Sequence, residues 1–353
     1  MDNNVVRIAC ALIIAFLIVE ALYFAPAVFE PVAFALFAIA LVWPLQKALQ
    51  RWIPRGLALI VTVLVTVIIV VKLASIVVWG GGLIAQWLSQ NFDRFQSLYV
   101  AGTQWLELHD IFIVAMVAER FNVIWLLRVF QEIAVRVNTL VAFSLLVFIF
   151  MAMGLLEAEE FAQNLQSLGN ETNGARLLAA IAKIAKKFRR YMLVRTIASI
   201  LTGLVVWGFC LAVGLEPAAA WGVIAFALNY IPFIGPLIAT LLPALFAFAQ
   251  TGSWETALFV LATLSVVQFL IGSYFEPLFT AKTLAISPFL VVFSVFFWGF
   301  IWGLPGTFIG VPIAIACLTV CEQFPSSRWI AILLSGRAPD DKPAPPETSI
   351  PSR

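Results

Sequence analysis

Residues 217–250 read PAAAWGVIAFALNYIPFIGPLIATLLPALFAFAQ, an apolar stretch with a helix break at its centre. It contains no Asp, Glu, Lys, Arg or His. As one helix it would measure roughly 51 Å, against a hydrocarbon core of about 30 Å. Asn229, Pro232, Gly235 and Pro236 stand at the centre. The two prolines donate no backbone hydrogen bond, and their rings clash with the preceding turn. Carbonyls near residues 228–232 are therefore expected to lose their helical donors. Lipid offers no replacement, so the break must face protein or a water-filled cavity. Interrupted membrane helices of this kind build substrate and ion sites in transporters.

A second segment, residues 289–324, repeats the design at roughly 54 Å. Its break is GLPG, residues 303–306, followed by Gly310 and Pro312. One kinked helix can be a packing feature. Two overlong, interrupted segments in one C-terminal half favour a function. Asn229, Pro232, Gly235, Pro236, Gly303, Gly306 and Pro312 are accordingly candidate residues of a solute or ion pathway. Each segment either crosses the membrane or re-enters it as a hairpin. If both re-enter, the span between them reverses direction.

The rest of the chain fits the same solvent. It is 63% hydrophobic and 11% charged, with a mean hydropathy of +1.02, well outside the range of a soluble domain. An all-α, polytopic membrane protein with about eight membrane segments follows. Unbroken spans are expected over residues 5–24, 29–46, 57–79, 139–156, 191–213 and 254–275. The glycine run Gly80–Gly82 should close the third. Cys10, Cys210, Cys317 and Cys321 all fall in apolar stretches, which argues against a disulfide framework or a metal site.

Lysine and arginine set the orientation. Lys47, Arg51 and Arg55 follow the second span, and Arg176, Lys183, Lys186, Lys187, Arg189, Arg190 and Arg195 surround the start of the fifth. Both basic regions belong inside, which places both termini in the cytoplasm. Trp43, Trp79 and Trp254 fall near span ends, as an aromatic belt requires. The domain plan is then spans one to three (1–82), an extracytoplasmic helical region (83–138), span four (139–156), a cytoplasmic loop (157–190), a transport core (191–324) and a partly disordered tail (325–353). Within the loop, residues 175–190 form a basic amphipathic helix suited to anionic headgroups.

Charges inside spans are functional candidates by default. Glu20 and Lys72 both fall in outer-leaflet segments, where they either pair or snorkel to the interface. Glu276, followed by Pro277, either caps a hairpin or serves as a gating or proton-binding carboxylate. Enzyme chemistry has little support: His109 is the sole histidine, and there is no HExxH and no phosphate-cradling glycine loop. No catalytic residue, cofactor, metal or nucleic-acid partner is expected. The expected partners are the lipid bilayer and a small-molecule or ion substrate.

The run NYIPFIGPLIATLLPALFAF, with Asn229, Ile231, Pro232, Gly235 and Pro236, resembles a signature of the autoinducer-2 exporter (AI-2E, or PerM-like permease) family. FEPLFTAKTLAISPFLVVFSVFFWGFIWGLPGTFIGVPIAIA is similar to that family's second signature. It carries Glu276, Pro277, Ser287, Pro288, Trp298, Gly299, Gly303, Gly306 and Pro312. Residues 191–203 also match, and the resemblance is strongest over 191–320. It implies a multi-pass bacterial inner-membrane permease that forms a homo-oligomer. Some members of the family are linked to export of a small furanosyl signal and others to sodium/proton exchange. Gradient-driven export of a small polar solute is the leading expectation. A sodium/proton antiporter is the alternative, and a non-transporting scaffold ranks last.

Overall fold

The computed structural model describes residues 3–92, Ser97, 137–167, 173–275 and 286–335. Every regular element among them is a helix: α1 (Asn3–Phe24), α2 (Pro26–Leu49), α3 (Arg55–Gln90), α4 (Val137–Ser167), α5 (Asn173–Val213), α6 (Ala218–Leu228), α7 (Ile234–Thr251), α8 (Trp254–Leu270, extended by a π turn over Ile271–Phe275), α9 (Pro288–Gln323) and α10 (Arg328–Leu334). Helices satisfy their own backbone groups, which lipid cannot do. Seven of the described helices are long and apolar enough to cross a membrane. Their outer faces carry large exposed apolar side chains such as Phe16, Ile60, Leu145 and Phe300. In water such faces would be unstable; in a bilayer they meet their proper solvent. The chain is an all-α polytopic membrane protein.

Two expectations change and one alternative is decided. The glycine run does not end the third span, because α3 continues through it to Gln90. Gly80 instead lets α6 approach closely, since a Cβ there would lie 2.9 Å from Val223 Cγ1. The basic stretch 175–190 and the fifth span are one helix, α5, of 41 residues. At roughly 61 Å it outruns a hydrocarbon core, so its basic half projects beyond one end. Glu20 and Lys72 do not pair: both are exposed and no ion pair joins them. Residues 98–136 of the expected extramembrane region lie outside the described residues, as do His109, Glu276, Pro277 and the tail from 336.

Both interrupted segments are hairpins. In the first, α6 runs in and α7 runs back. The Gln250 side chain clasps the two roots: its Nε2 donates to the Gly214 carbonyl at 2.8 Å, and its Oε1 accepts from the Glu216 N–H at 3.0 Å. Trp221 and Phe246 meet edge to face between the arms, with centroids 4.7 Å apart. In the second hairpin, α9 reverses at Gly303, whose φ of 65° and ψ of −142° suit glycine alone. Its arms touch through small residues. A Cβ at Gly310 would lie 2.6 Å from the Ser294 carbonyl oxygen, and one at Gly306 would overlap the Trp298 carbonyl.

The hairpins enter from opposite ends. Lys47 and Arg55 both pair with Glu159 of α4, and Arg189 donates to the Ala40 carbonyl at 2.8 Å. Since α2 and α5 run antiparallel, the basic half of α5 lies at the Lys47 end. Lys183 and Lys187 hold Glu322 there at 3.1 and 3.2 Å, which places the root of the second hairpin at this basic end. The first hairpin roots at the other end, where α5 finishes. Its clasped arms pack against the far part of α3 through Ile84, Trp87 and Leu88.

Two tests follow. In a cysteine-free background, Glu216→Cys with Gln250→Cys should cross-link on mild oxidation, whereas a straight helix would hold them roughly 51 Å apart. Mobility on non-reducing gels reads the outcome. Gly310→Val should destabilise the second hairpin by about 1–3 kcal/mol through overpacking, seen as a lower thermal midpoint in detergent.

Candidate functional site

The two tips meet beside the middle of α5. Tyr230, at the first tip, donates its hydroxyl to Thr196 Oγ1 at 3.1 Å. Its ring lies 6.1 Å from that of Phe308, just past the second tip. Phe308 stacks in turn on Phe34 of α2 at 6.0 Å. Ile234, which opens α7, packs into the cluster built around Ile301, Trp302 and Ile309. Trp302 anchors the second tip by donating Nε1 to the Leu22 carbonyl at 3.0 Å.

Asn229 is buried at the first tip, 2% exposed, and its Nδ2 donates to Ser199 Oγ at 3.3 Å. The break is better satisfied than the sequence suggests. Pro232 and Pro236 deprive the Leu228 and Pro232 carbonyls of their i+4 donors. Those carbonyls instead accept from Ile231 N at 2.9 Å and Ile234 N at 2.7 Å. The expectation of freed carbonyls at these two positions is therefore corrected. Pro236 falls in the first turn of α7, where a missing N–H costs nothing. Gly235 is required for closure, because a Cβ there would overlap the Leu228 carbonyl. Phe233 takes up the residual strain at φ 62°, a conformation that costs a non-glycine residue of order 1–3 kcal/mol.

The polar groups of the site lie largely on α5. Tyr191, Arg195, Ser199 and Thr202 recur at spacings of four, four and three, which puts them on one helix face. Ser199 and Thr202 are fully buried. The Tyr191 hydroxyl and Thr202 Oγ1 are buried with no hydrogen-bond partner. Arg195 lies over the Tyr191 ring, 5.8 Å from its centroid. Unpaired buried hydroxyls cost about 1–3 kcal/mol each, so such a stripe calls for a polar occupant or a passage that wets it.

Of the candidate residues, the structure brings Asn229, Pro232, Gly235, Pro236, Gly303 and Gly306 into the two tips. Pro312 is buried in the returning arm of the second hairpin, roughly 13 Å of helix beyond Gly303. Glu20 and Lys72 are exposed. Glu276 and Pro277 lie outside the described residues. Sequence reasoning missed Tyr230, Thr196, Ser199 and Thr202, and counted Arg195 only as a loop charge. Their recurrence every three to four residues within an apolar span was the available signal.

Comparison with known proteins identifies the family. The profile described as AI-2E family transporter matches residues 12–326. The chain is 28% identical to the AI-2 transport protein TqsA of Escherichia coli K12 over 94% of this chain and 96% of that protein. It is 27% identical to a putative transport protein of Borreliella burgdorferi, over 60% of this chain and 58% of the relative. It is also 31% identical to the putative transport protein YhhT of Escherichia coli K12 over 47% of each chain. A profile match across nearly the whole chain, on a bundle holding two opposed hairpins, shows that this protein belongs to the AI-2E transporter family.

Proposed function

We propose that this protein exports a small polar solute down a gradient, across the point where the hairpin tips meet α5. One observation carries the reading: a polar stripe on α5, with two unpaired buried hydroxyls, runs beside the tips. Opposed hairpins suit alternating access, because each tip can withdraw toward its own end while the other stays closed. Tyr230 is the gate between them, held by Thr196 on one side and by Phe308 on the other. Hydroxyl and amide groups beside the Arg195 guanidinium match a hydroxylated solute better than a bare cation. Autoinducer-2, the solute named for TqsA, is a fitting first choice. On this reading the basic end faces the cytoplasm, and the protein lies in a bacterial inner membrane with both termini inside.

Flux from reconstituted vesicles tests the site, with autoinducer-2, other labelled hydroxylated solutes, sodium and protons run side by side. Asn229→Leu and Thr202→Val should each cut solute flux by about tenfold, as expected for losing roughly 1.4 kcal/mol of polar contact. Membrane insertion should persist, because both changes keep their segments apolar. Wild-type flux in both variants would remove the tips from the pathway. Orientation is tested separately by cysteine labelling in intact cells. Position 186 should stay dark to an impermeant reagent, while position 252, at the root of the first hairpin, should label.

A further inference from the structure

Three elements converge at the basic end around Glu322. Lys183 and Lys187 of α5 converge on this one carboxylate, with Nζ atoms 3.1 and 3.2 Å from it. Lys186, one position away, is exposed. Glu322 closes the returning arm of the second hairpin, and α10 follows after a short turn. Ser327 Oγ donates to the Cys321 carbonyl at 3.3 Å, while the Leu334 carbonyl accepts from Ser287 N at 3.1 Å. Thus α10 starts beside the returning arm and ends beside the first residues of the outgoing arm. It lies across the mouth of the hairpin.

This strap is amphipathic in an unusual sense. Ala331 is buried at 4%, yet Trp329, Ile332 and Leu333 are 63%, 66% and 72% exposed. Arg328, its first residue, is exposed as well. A helix lying across span ends, with a bare apolar face and adjacent cations, has the form of an interfacial element. Ile181 of α5, 42% exposed, adds to the apolar surface at the same end. The cations of this corner are Lys183, Lys186, Lys187 and Arg328. Against them stands Glu322, the one acid in the described residues from 173–190 and 319–335. The corner keeps a net positive charge even with Glu322 bound.

We propose that the corner formed by α5, α9 and α10 is a binding site for an anionic phospholipid. The headgroup phosphate sits on Lys183, one of the two lysines on Glu322, and on the exposed Lys186 near it. The acyl chains lie along Trp329, Ile332 and Leu333. Phosphate is matched by convergent ammonium groups, and aromatic and aliphatic side chains fit the boundary between headgroup and chain. Glu322 has a positioning role: by holding Lys183 and Lys187 it fixes the cationic face and ties it to the root of the second hairpin. Lipid bound here therefore touches the element whose far tip shapes the candidate pathway. The site itself does not depend on which solute is carried.

Native mass spectrometry of the full-length protein, released from nanodiscs holding equal phosphatidylglycerol and phosphatidylcholine with identical chains, provides the test. Wild-type protein should retain phosphatidylglycerol in preference. Lys183→Gln with Lys186→Gln should lower that preference by about fivefold per lysine, while Lys183→Arg with Lys186→Arg should keep it. Trp329→Ser should weaken retention of both lipids alike, since it removes chain contact and no charge. Inorganic phosphate at millimolar concentration should not displace the lipid. Equal retention of the two lipids by wild-type protein would overturn the proposal even if the double variant failed to fold. Complete displacement by inorganic phosphate would overturn the lipid assignment and leave a simple anion site.

Discussion

Backbone hydrogen bonding inside a hydrocarbon medium governs this fold. An unpaired amide or carbonyl costs several kcal/mol there, so a chain may leave the helical path only where something else supplies the bond. The first tip shows how this is done. Two prolines strip the Leu228 and Pro232 carbonyls of their usual donors, and tight turn bonds from Ile231 and Ile234 replace them. The turn is closed enough that residue 235 can only be glycine. Once the chain has turned that sharply, it returns to the end from which it came. A segment too long to cross the bilayer straight becomes two arms of 11 and 18 residues, roughly 16 and 27 Å.

Hairpins that end inside a bundle create a second demand, because their arms must pack against each other and against α5. Small residues meet it. Gly306 and Gly310 let the arms of the second hairpin approach backbone to backbone, Gly299 makes room for the Thr307 side chain, and Gly203 and Gly222 allow the same closeness between α5 and α6. Such close approach drives association where no hydrophobic effect operates between helices. The roots are then pinned by polar contacts at the bundle ends, Gln250 on one side and the Lys183–Lys187–Glu322 group on the other. The first tip is held by Tyr230 to Thr196 and Asn229 to Ser199, and the second by Trp302 to Leu22.

Much of this was legible in the chain. The all-helical membrane class, the two breaks and their residues follow from apolar length and proline chemistry, which are local properties. The family resemblance rested on the same residues. Local reasoning erred where a distant neighbour intervenes. Gly80–Gly82 read as a stop, but α6 packs on Gly80 and the helix runs on to Gln90. Depth left Glu20 and Lys72 either to pair or to snorkel, and only the direction in which each helix faces decides against the pair.

The sequence by itself determined where the helices must break, because proline and glycine act on their own turn. Whether each broken segment crossed or turned back was decided by tertiary structure. A break frees the chain to bend without setting the angle, which depends on what the two arms find to pack against. Ser199, Thr202 and Tyr230 were gathered into one candidate site on the same ground. The polar face of α5 is legible on its own helix, but only the turn of the first hairpin sets Asn229 and Tyr230 against it.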